Sequence, residues 1–406
     1  MCIRVTPKVE DPYANNPSHK AFTRSFLSTT SSEFGQENFL TCPLGVLFTL
    51  GILLGSGGAQ GRTGYQIGKT LRLKSISSSS DLSEAQEEMK SLYKELNSSL
   101  ASEMTLLEKE QKVQVVKISS GLVIQDTINL EDNFNNSIKN DFEGELLMVD
   151  FSNRTTAALT INNWVDQQSN GLVEKFFMDD IPDNTWMILI NVFYFRDFWQ
   201  NPFEQHYTRI ENFSVSSDRH LQVPMMSKEE LLKYGKFEND GFEIVSKPFK
   251  NTRFSFVIVL PLEKWSLTGA VELLNGNKIL SEYMKQLQDI TVSLRLPKFT
   301  VKNTLDLIRP LSSMGIVDLF NPGTADLSGI TSDYKLFVNK FIQTNVLKLN
   351  ESGIEATAIT SPTFIPISAI LPDVDFHVTH PFVCFIYDQQ LTMPIMAAKI
   401  IEPILQ

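Results

Sequence analysis

The chain is poor in cysteine. Its 406 residues hold three, Cys2, Cys42 and Cys384, with no close pair. That excludes a disulfide framework and, in the absence of any Cys-x-x-Cys, a structural zinc site. It fits a reducing compartment, or an exported protein that does without disulfides. Positive charge is scarce too: 36 Lys+Arg stand against 47 Asp+Glu, a net charge of −11. Phosphate recognition runs on clustered positive charge, so neither nucleic acid nor heparin is expected as a partner. Long hydrophobic runs are missing. The most apolar windows, Pro43–Leu54 and Trp186–Phe195, fall short of the roughly 18 residues that span a bilayer. The first residues, MCIRVTPKVEDPYANN, lack the apolar core of a secretory leader.

Catalytic motifs are also missing. There is no Gly-x-Ser-x-Gly nucleophile elbow. Gly64-Tyr-Gln-Ile-Gly68-Lys69-Thr70 resembles a phosphate loop, but its spacing is one residue short. A helix with glycines for close packing is the better reading. The histidines are His19, His206, His220, His377 and His380. His377 and His380 have a metal-like spacing, yet they sit in a strand-patterned stretch, where positions three apart face opposite sides. No metal, no cofactor and no enzyme activity are expected.

What is present is material for a large core: 42% hydrophobic residues, 28 of them Phe. Residues 1–18 read as a polar extension and 19–406 as one domain. Helical patterns fall at His19–Ser32, Leu44–Leu54, Gly61–Leu73 and Leu130–Phe142. Ser75–Ser80 reads as a serine-rich linker. Leu82–Glu110 is helix-forming throughout and carries more acids than lysines, so 75–112 reads as a linker and solvated acidic helix inserted in the domain. Asn162–Phe177, Leu267–Leu287 and Leu305–Met314 also read as helices. Val113–Ile124, Trp186–Phe195, Glu243–Pro248, Phe254–Leu260, Ile290–Pro297, Phe341–Leu349, His377–Tyr387 and Pro394–Ile401 read as strands. Helices early and strands late predict an α+β fold. Asn-x-Ser/Thr sequons at Asn97, Asn135, Asn153, Asn212 and Asn350 are glycosylation candidates.

One segment is unusual. Ala356–Pro372, ATAITSPTFIPISAILP, is 17 residues without a charge. No Lys or Arg occurs between Lys348 and Lys399. In an extended chain, Ile354, Ala356, Ala358, Thr360, Pro362 and Phe364 share one face, which is small and mostly apolar. The first half suits a strand on a core, and the proline-rich second half suits an exposed loop. A segment able to be either is the physical requirement for a switch.

These residues sit among further motifs in a fixed order. They are Asn38-Phe-Leu-Thr-Cys42-Pro43 with Gly58-Ala-Gln-Gly61-Arg-Thr63, then Asn191-Val-Phe-Tyr-Phe-Arg-Asp-Phe-Trp199. Leu296-Pro-Lys-Phe299 follows, then Gly315, Asp318, Phe320, Ala325-Asp326 and Ser328-Gly329. Glu351-Ser-Gly353-Ile-Glu355-Ala356, His380-Pro381-Phe382 and Pro403 complete the set. Together they resemble the serpin family, from about His19 to Pro403.

The resemblance implies three β-sheets, about nine helices, and a hinge and reactive-centre loop over 351–376. It implies a serine protease inhibitor that acts as a suicide substrate. The protease cuts the loop, which inserts into the main sheet and traps the acyl-enzyme. The reactive bond is expected at Ile367–Ser368, with Ser368–Ala369 and Phe364–Ile365 as alternatives. An apolar residue there points to elastase-like or chymotrypsin-like targets, not trypsin-like ones, whose buried carboxylate needs a cation. The hinge would comprise Glu351, Gly353, Ile354, Glu355, Ala356, Thr357 and Ala358. Ile354 stands where the family has a small hydroxyl residue, and Pro362 removes one ladder donor. In the family's sheet-opening shutter, Cys42 and Gly45 replace serines, Gln343 replaces a histidine, and Asn191 remains. Cys42 reads as an inert buried thiol. A monomer is expected, extracellular by a leaderless route, or else cytoplasmic. A non-inhibitory carrier, chaperone or storage role is the alternative.

Overall fold

The computed structural model of the chain describes residues 17–34, 37–106, 112–173, 176–177, 181–182, 184–276, 278–355 and 372–405. In chain order the elements are α1 (Ser18–Glu33), β1 (Phe39–Thr41), α2 (Pro43–Gly55), α3 (Gly61–Thr70), α4 (Ser83–Ala101), β2 (Met104–Leu106), β3 (Lys112–Gln114), β4 (Val116–Gln125), α5 (Asp132–Asp141), β5 (Glu145–Val149), α6 (Arg154–Gln168), β6 (Met187–Phe195), β7 (Asp197–Phe198), β8 (Arg209–Ser214) and β9 (His220–Phe237). Then follow β10 (Phe242–Pro248), β11 (Phe254–Pro261), α7 (Thr268–Leu274), α8 (Leu280–Met284), β12 (Gln288–Pro297), β13 (Phe299–Asp306), α9 (Ile308–Ser313), β14 (Lys340–Asn350), β15 (Gly353–Ile354), β16 (Val374–His377), β17 (Phe382–Asp388) and β18 (Met393–Ile400). Among the described residues this is an α+β fold of nine α-helices and three sheets.

The central sheet runs β5-β4-β6-β14-β15-β7, with β13 also on β14. All nine residues of β6 are buried, which is why their sequence is continuously apolar rather than alternating. One face lies on α2, whose thirteen residues are all buried. The other is covered by α6, where the Trp164 ring rests against Gly121; a Cβ there would meet it at 2.8 Å. A nine-stranded sheet runs β1-β18-β17-β11-β10-β9-β12-β16, with β8 on β9, and β2 and β3 form a hairpin.

Several boundaries differ from the sequence reading. Helix α4 stops at Ala101, and the following residues turn into the β2–β3 hairpin. Its Met89, Tyr93, Leu96 and Leu100 enter the main core, so only the opposite face is the solvated acidic surface. Helix α6 starts at Arg154, eight residues ahead of the reading, because the Asn153 side chain accepts the Thr156 N–H and caps it. The helix read over Leu267–Leu287 is two short ones, α7 and α8, parted at Gly276 with φ +70°. Leu305 and Asp306 end a strand, and α9 begins only at Ile308. The strand read over His377–Tyr387 is broken by a turn at His380-Pro381 into β16 and β17.

Candidate functional site: the hinge and the amide gate beneath it

Strands β6 and β14 run parallel and pair from Ile188↔Lys340 to Phe193↔Asn345. Above that level β15 sits between β14 and β7, the short strand that follows β6. On one side Gly353 and Ile354 pair with Asn350 and Leu349; on the other they pair with Phe198 and Asp197. The chain leaving β14 therefore reverses over the two residues Glu351 and Ser352 and re-enters its own sheet.

Local chemistry fixes that reversal. The Asn350 Oδ1 accepts the N–H groups of Ser352 (2.8 Å) and Gly353 (3.2 Å). The Trp199 indole donates to the Asn350 carbonyl at 3.0 Å, and the Trp199 N–H donates to the Ser352 carbonyl at 2.8 Å. Glu351 is buried; its carboxylate accepts from Lys298 Nζ (2.9 Å) and from the Thr208 hydroxyl (3.0 Å). Burial is the largest single influence and opposes its ionisation, but the Lys298 hydrogen bond and charge, a backbone N–H and the Thr208 hydroxyl together hold the carboxyl below its usual range. Gly353 has φ +154°, and a Cβ there would lie 2.1 Å from the Asp197 carbonyl, so only glycine fits. Ile354 is buried against the main core; roughly 1.5–3 kcal/mol is the usual gain for burying such a side chain. Glu355, at φ +54°, is half-buried, and burial pushes its carboxyl up; its Oε2 lies 3.5 Å from the Tyr194 hydroxyl.

Below the hinge, where β6 and β14 still touch, the core face turns polar. Asn191, Gln343 and Asn345 are all fully buried there. Gln343 Nε2 donates to Asn191 Oδ1 (2.9 Å) and to the Cys42 carbonyl (2.8 Å). Gln343 Oε1 accepts from the Thr41 hydroxyl (2.6 Å), the Cys42 N–H (3.1 Å) and Asn345 Nδ2 (3.2 Å). Asn191 Nδ2 donates to the Ser119 carbonyl (3.1 Å). A glutamine thus ties β6 and β14 to the chain entering α2. Gly45 leaves the room this needs: a Cβ on it would lie 2.0 Å from Asn191 Oδ1. Cys42 contributes backbone only; burial pushes its thiol up to about 12, so it stays protonated and inert at neutral pH.

The structure brings Glu351, Gly353, Ile354 and Glu355 together at the hinge, and Cys42, Asn191 and Gln343 at the gate. Ala356, Thr357 and Ala358 and the candidate bond residues Phe364, Ile365, Ile367, Ser368 and Ala369 lie outside the described residues. Sequence reasoning missed Asn345, Thr41, Trp199, Lys298 and Asn350. Asn350 was legible only as a sequon, although its side chain is committed to the turn. Among the sequons, Asn153 and Asn212 are exposed, while Asn97, Asn135 and Asn350 are half-buried.

The phosphate-loop lookalike is α3, with Gly64 against Leu82 and Gly68 against Ile76. His377 is 3.7 Å from Asp375, and His380 Nε2 is 3.1 Å from the Pro261 carbonyl. Among the described residues no group of His, Cys, Asp or Glu could hold a metal, and no helix is long and apolar enough to cross a membrane.

The outgoing strand folds back between β14 and β7, above a buried amide pair that ties β14 to β6. The chain is a member of the serpin family: a profile described as serpin (serine protease inhibitor) matches residues 17–403. A solved serpin from the trematode Schistosoma haematobium is 68% identical, with a TM-score of 0.89 over 95% of this chain and 100% of that one. Leukocyte elastase inhibitor of Equus caballus is 28% identical over 89% of this chain and 95% of its own. Antichymotrypsin-2 of Bombyx mori is 29% identical over 68% and 74% respectively.

Proposed function

We propose that the chain inhibits a serine protease of apolar primary specificity, elastase-like or chymotrypsin-like, as a suicide substrate cut at Ile367–Ser368. The observation that carries this is the register of β15. Thr360 is six residues on from Ile354; the continued ladders bring it opposite Gln343, six back from Leu349, and Asn191, six back from Asp197. Those two residues are themselves paired across β6 and β14. Both ladders would therefore converge on one residue, and the only hydroxyl on the inward face from Ala356 to Phe364 would meet the buried amides that insertion would part.

The same register carries Thr363 and Phe364 to the first residues of β14 and β6, Lys340 and Met187. Ile367 would stand three residues beyond, at the far pole, with the protease attached. Ile354 fills a core position already, so its bulk is no barrier there. Each ladder bond is worth only about 1 kcal/mol net, but about ten residues would be added at once. Relatives whose names describe elastase and chymotrypsin inhibition support the target class. Action outside the cell, as a monomer, is part of the same proposal.

One observation favours the non-inhibitory reading. The Trp199 N–H bond to Ser352 shows that even-numbered residues turn their polar groups toward β7 and β6. Pro362 would then face Leu189 with no N–H to give.

The test is incubation with elastase and, separately, chymotrypsin, followed by denaturing gels. A covalent band of higher mass, with a released peptide beginning at Ser368, is expected. Trypsin gives no such band. Clean cleavage with active protease remaining overturns trapping for those enzymes. If cleavage also leaves Tm unchanged, the carrier or chaperone reading replaces it.

A further inference from the structure

The sheet has a second polar feature, away from the hinge. Strand β5 pairs with β4 only over Gly121–Gln125, so the outer edge of Val116–Ser120 carries no neighbouring strand among the described residues. A cleft of about 220 Å³ opens along that edge, between the end of α4 and the end of α6. Its walls are polar: Asn97 from α4, Gln114 from β3, Lys117 from β4, Glu143 and Glu145 at the start of β5, and Gln168 from α6.

Part of this wall is rigidly built. Glu145 accepts from the Trp164 indole (2.8 Å) and from Gln168 Nε2 (3.0 Å), and Gln168 Oε1 accepts from the buried Ser119 hydroxyl (2.9 Å). Lys117 is the exception. It is half-buried, and no acceptor lies within hydrogen-bond reach of its ammonium among the described residues. Lys278 and Lys298, also half-buried, each hold a carboxylate oxygen at 2.8 or 2.9 Å. Burial pushes the Lys117 ammonium toward its neutral form and the Glu145 charge offsets part of that, but an anion in the cleft would supply the hydrogen-bond acceptor it lacks.

We propose that this cleft binds a small zwitterion of amino-acid size, its carboxylate on Lys117 and its ammonium toward Glu143 and Glu145. One cation and two acids line the cleft, so a plain anion meets repulsion that a zwitterion turns into attraction. The amides of Asn97 and Gln114, which make no side-chain bonds elsewhere among the described residues, bond the polar atoms between. A 150 Å³ cavity holds benzene, so this one has room for about nine non-hydrogen atoms, enough for valine or the slightly smaller γ-aminobutyrate.

The experiment is calorimetric titration of the full chain with L-valine and γ-aminobutyrate, and with acetate and methylamine as single-charge probes. A Kd below about 10 mM is expected for at least one zwitterion, tenfold or more weaker binding for both single-charge probes, and loss of binding in Lys117→Met. Glu143→Gln, at an exposed position, should weaken zwitterion binding and strengthen acetate binding, because one of the two repelling carboxylates is gone. Thermal melting shows that each variant is folded. Saturation by no zwitterion, equal binding of acetate, or full binding by a folded Lys117→Met each overturns the proposal.

Discussion

At the scale of single residues, the gate is a packing problem as much as a hydrogen-bond network. Gly45 and Asn191 occupy one space: any Cβ on residue 45 collides with the amide that bonds Gln343. Gly45→Ser should therefore destabilise the protein by about 1–3 kcal/mol, the usual range for overpacking, with a lower Tm. If this substitution left stability unchanged, Asn191 would not be held where Gln343 needs it. The hinge has its own single-residue dependence. Glu351 is buried and takes one hydrogen bond from a cation and one from a hydroxyl. Glu351→Ala leaves Lys298 without its carboxylate, and a loss of about 1.5–3 kcal/mol is expected in urea unfolding. The Lys298→Ala, Glu351→Ala double variant should cost less than the sum of the two single ones, since the pair is in contact.

At the scale of elements, the outcome to test is insertion. The inserted segment would bring Thr360 between two buried amides and Pro362 opposite Leu189. Thr360→Val should shrink the rise in Tm that follows loop cleavage, because the amides lose their hydroxyl partner in the inserted state. Pro362→Ala should enlarge it by restoring one ladder donor. Differential scanning of intact and cleaved protein measures both, and opposite signs are the requirement.

Elements were legible where burial dictates pattern. The run Trp186–Phe195 reads as a buried strand, and Met187–Phe195 is one. They were not legible where tertiary pairing overrides local preference. Residues after Ala101 keep helix-forming composition, yet form a hairpin because Met104–Leu106 finds Lys112–Gln114. The α6 start had a local signal, Asn153 before two threonines, that periodicity alone overlooks. The gate residues Asn191 and Gln343 were legible through motif order. Asn345 was not, since an Asn in a strand says nothing about facing a core until the register is known.

At the scale of the whole molecule, the acid limb of stability falls to histidines that the function does not use, chiefly His19 and His380, with His377 lowered by burial in the same direction. His19 and His380 are buried, and each has a ring Nδ1 with no hydrogen-bond partner among the described residues. Burial, with a smaller push from Lys20 and Lys264 respectively, lowers each to about 4 from 6.5. The folded state keeps both neutral while the unfolded chain takes up protons. Stability is therefore full above pH 6.5 and falls as pH drops toward 4, where the folded histidines also protonate and the loss levels off. Each histidine contributes on the order of 2–3 kcal/mol across that window. Glu355 acts against this: its carboxyl is raised, so the folded state gains that proton more readily as pH falls. Glu351 is lowered, and its contribution is lost only below 4.5, beneath most of the histidine window. Urea unfolding at pH 7.5, 6 and 5 should show a steady decline, and His380→Gln should flatten it by about half. NMR titration of the His380 ring gives the site directly. A folded-state value near 6.5 would assign the acid limb to the carboxylates instead.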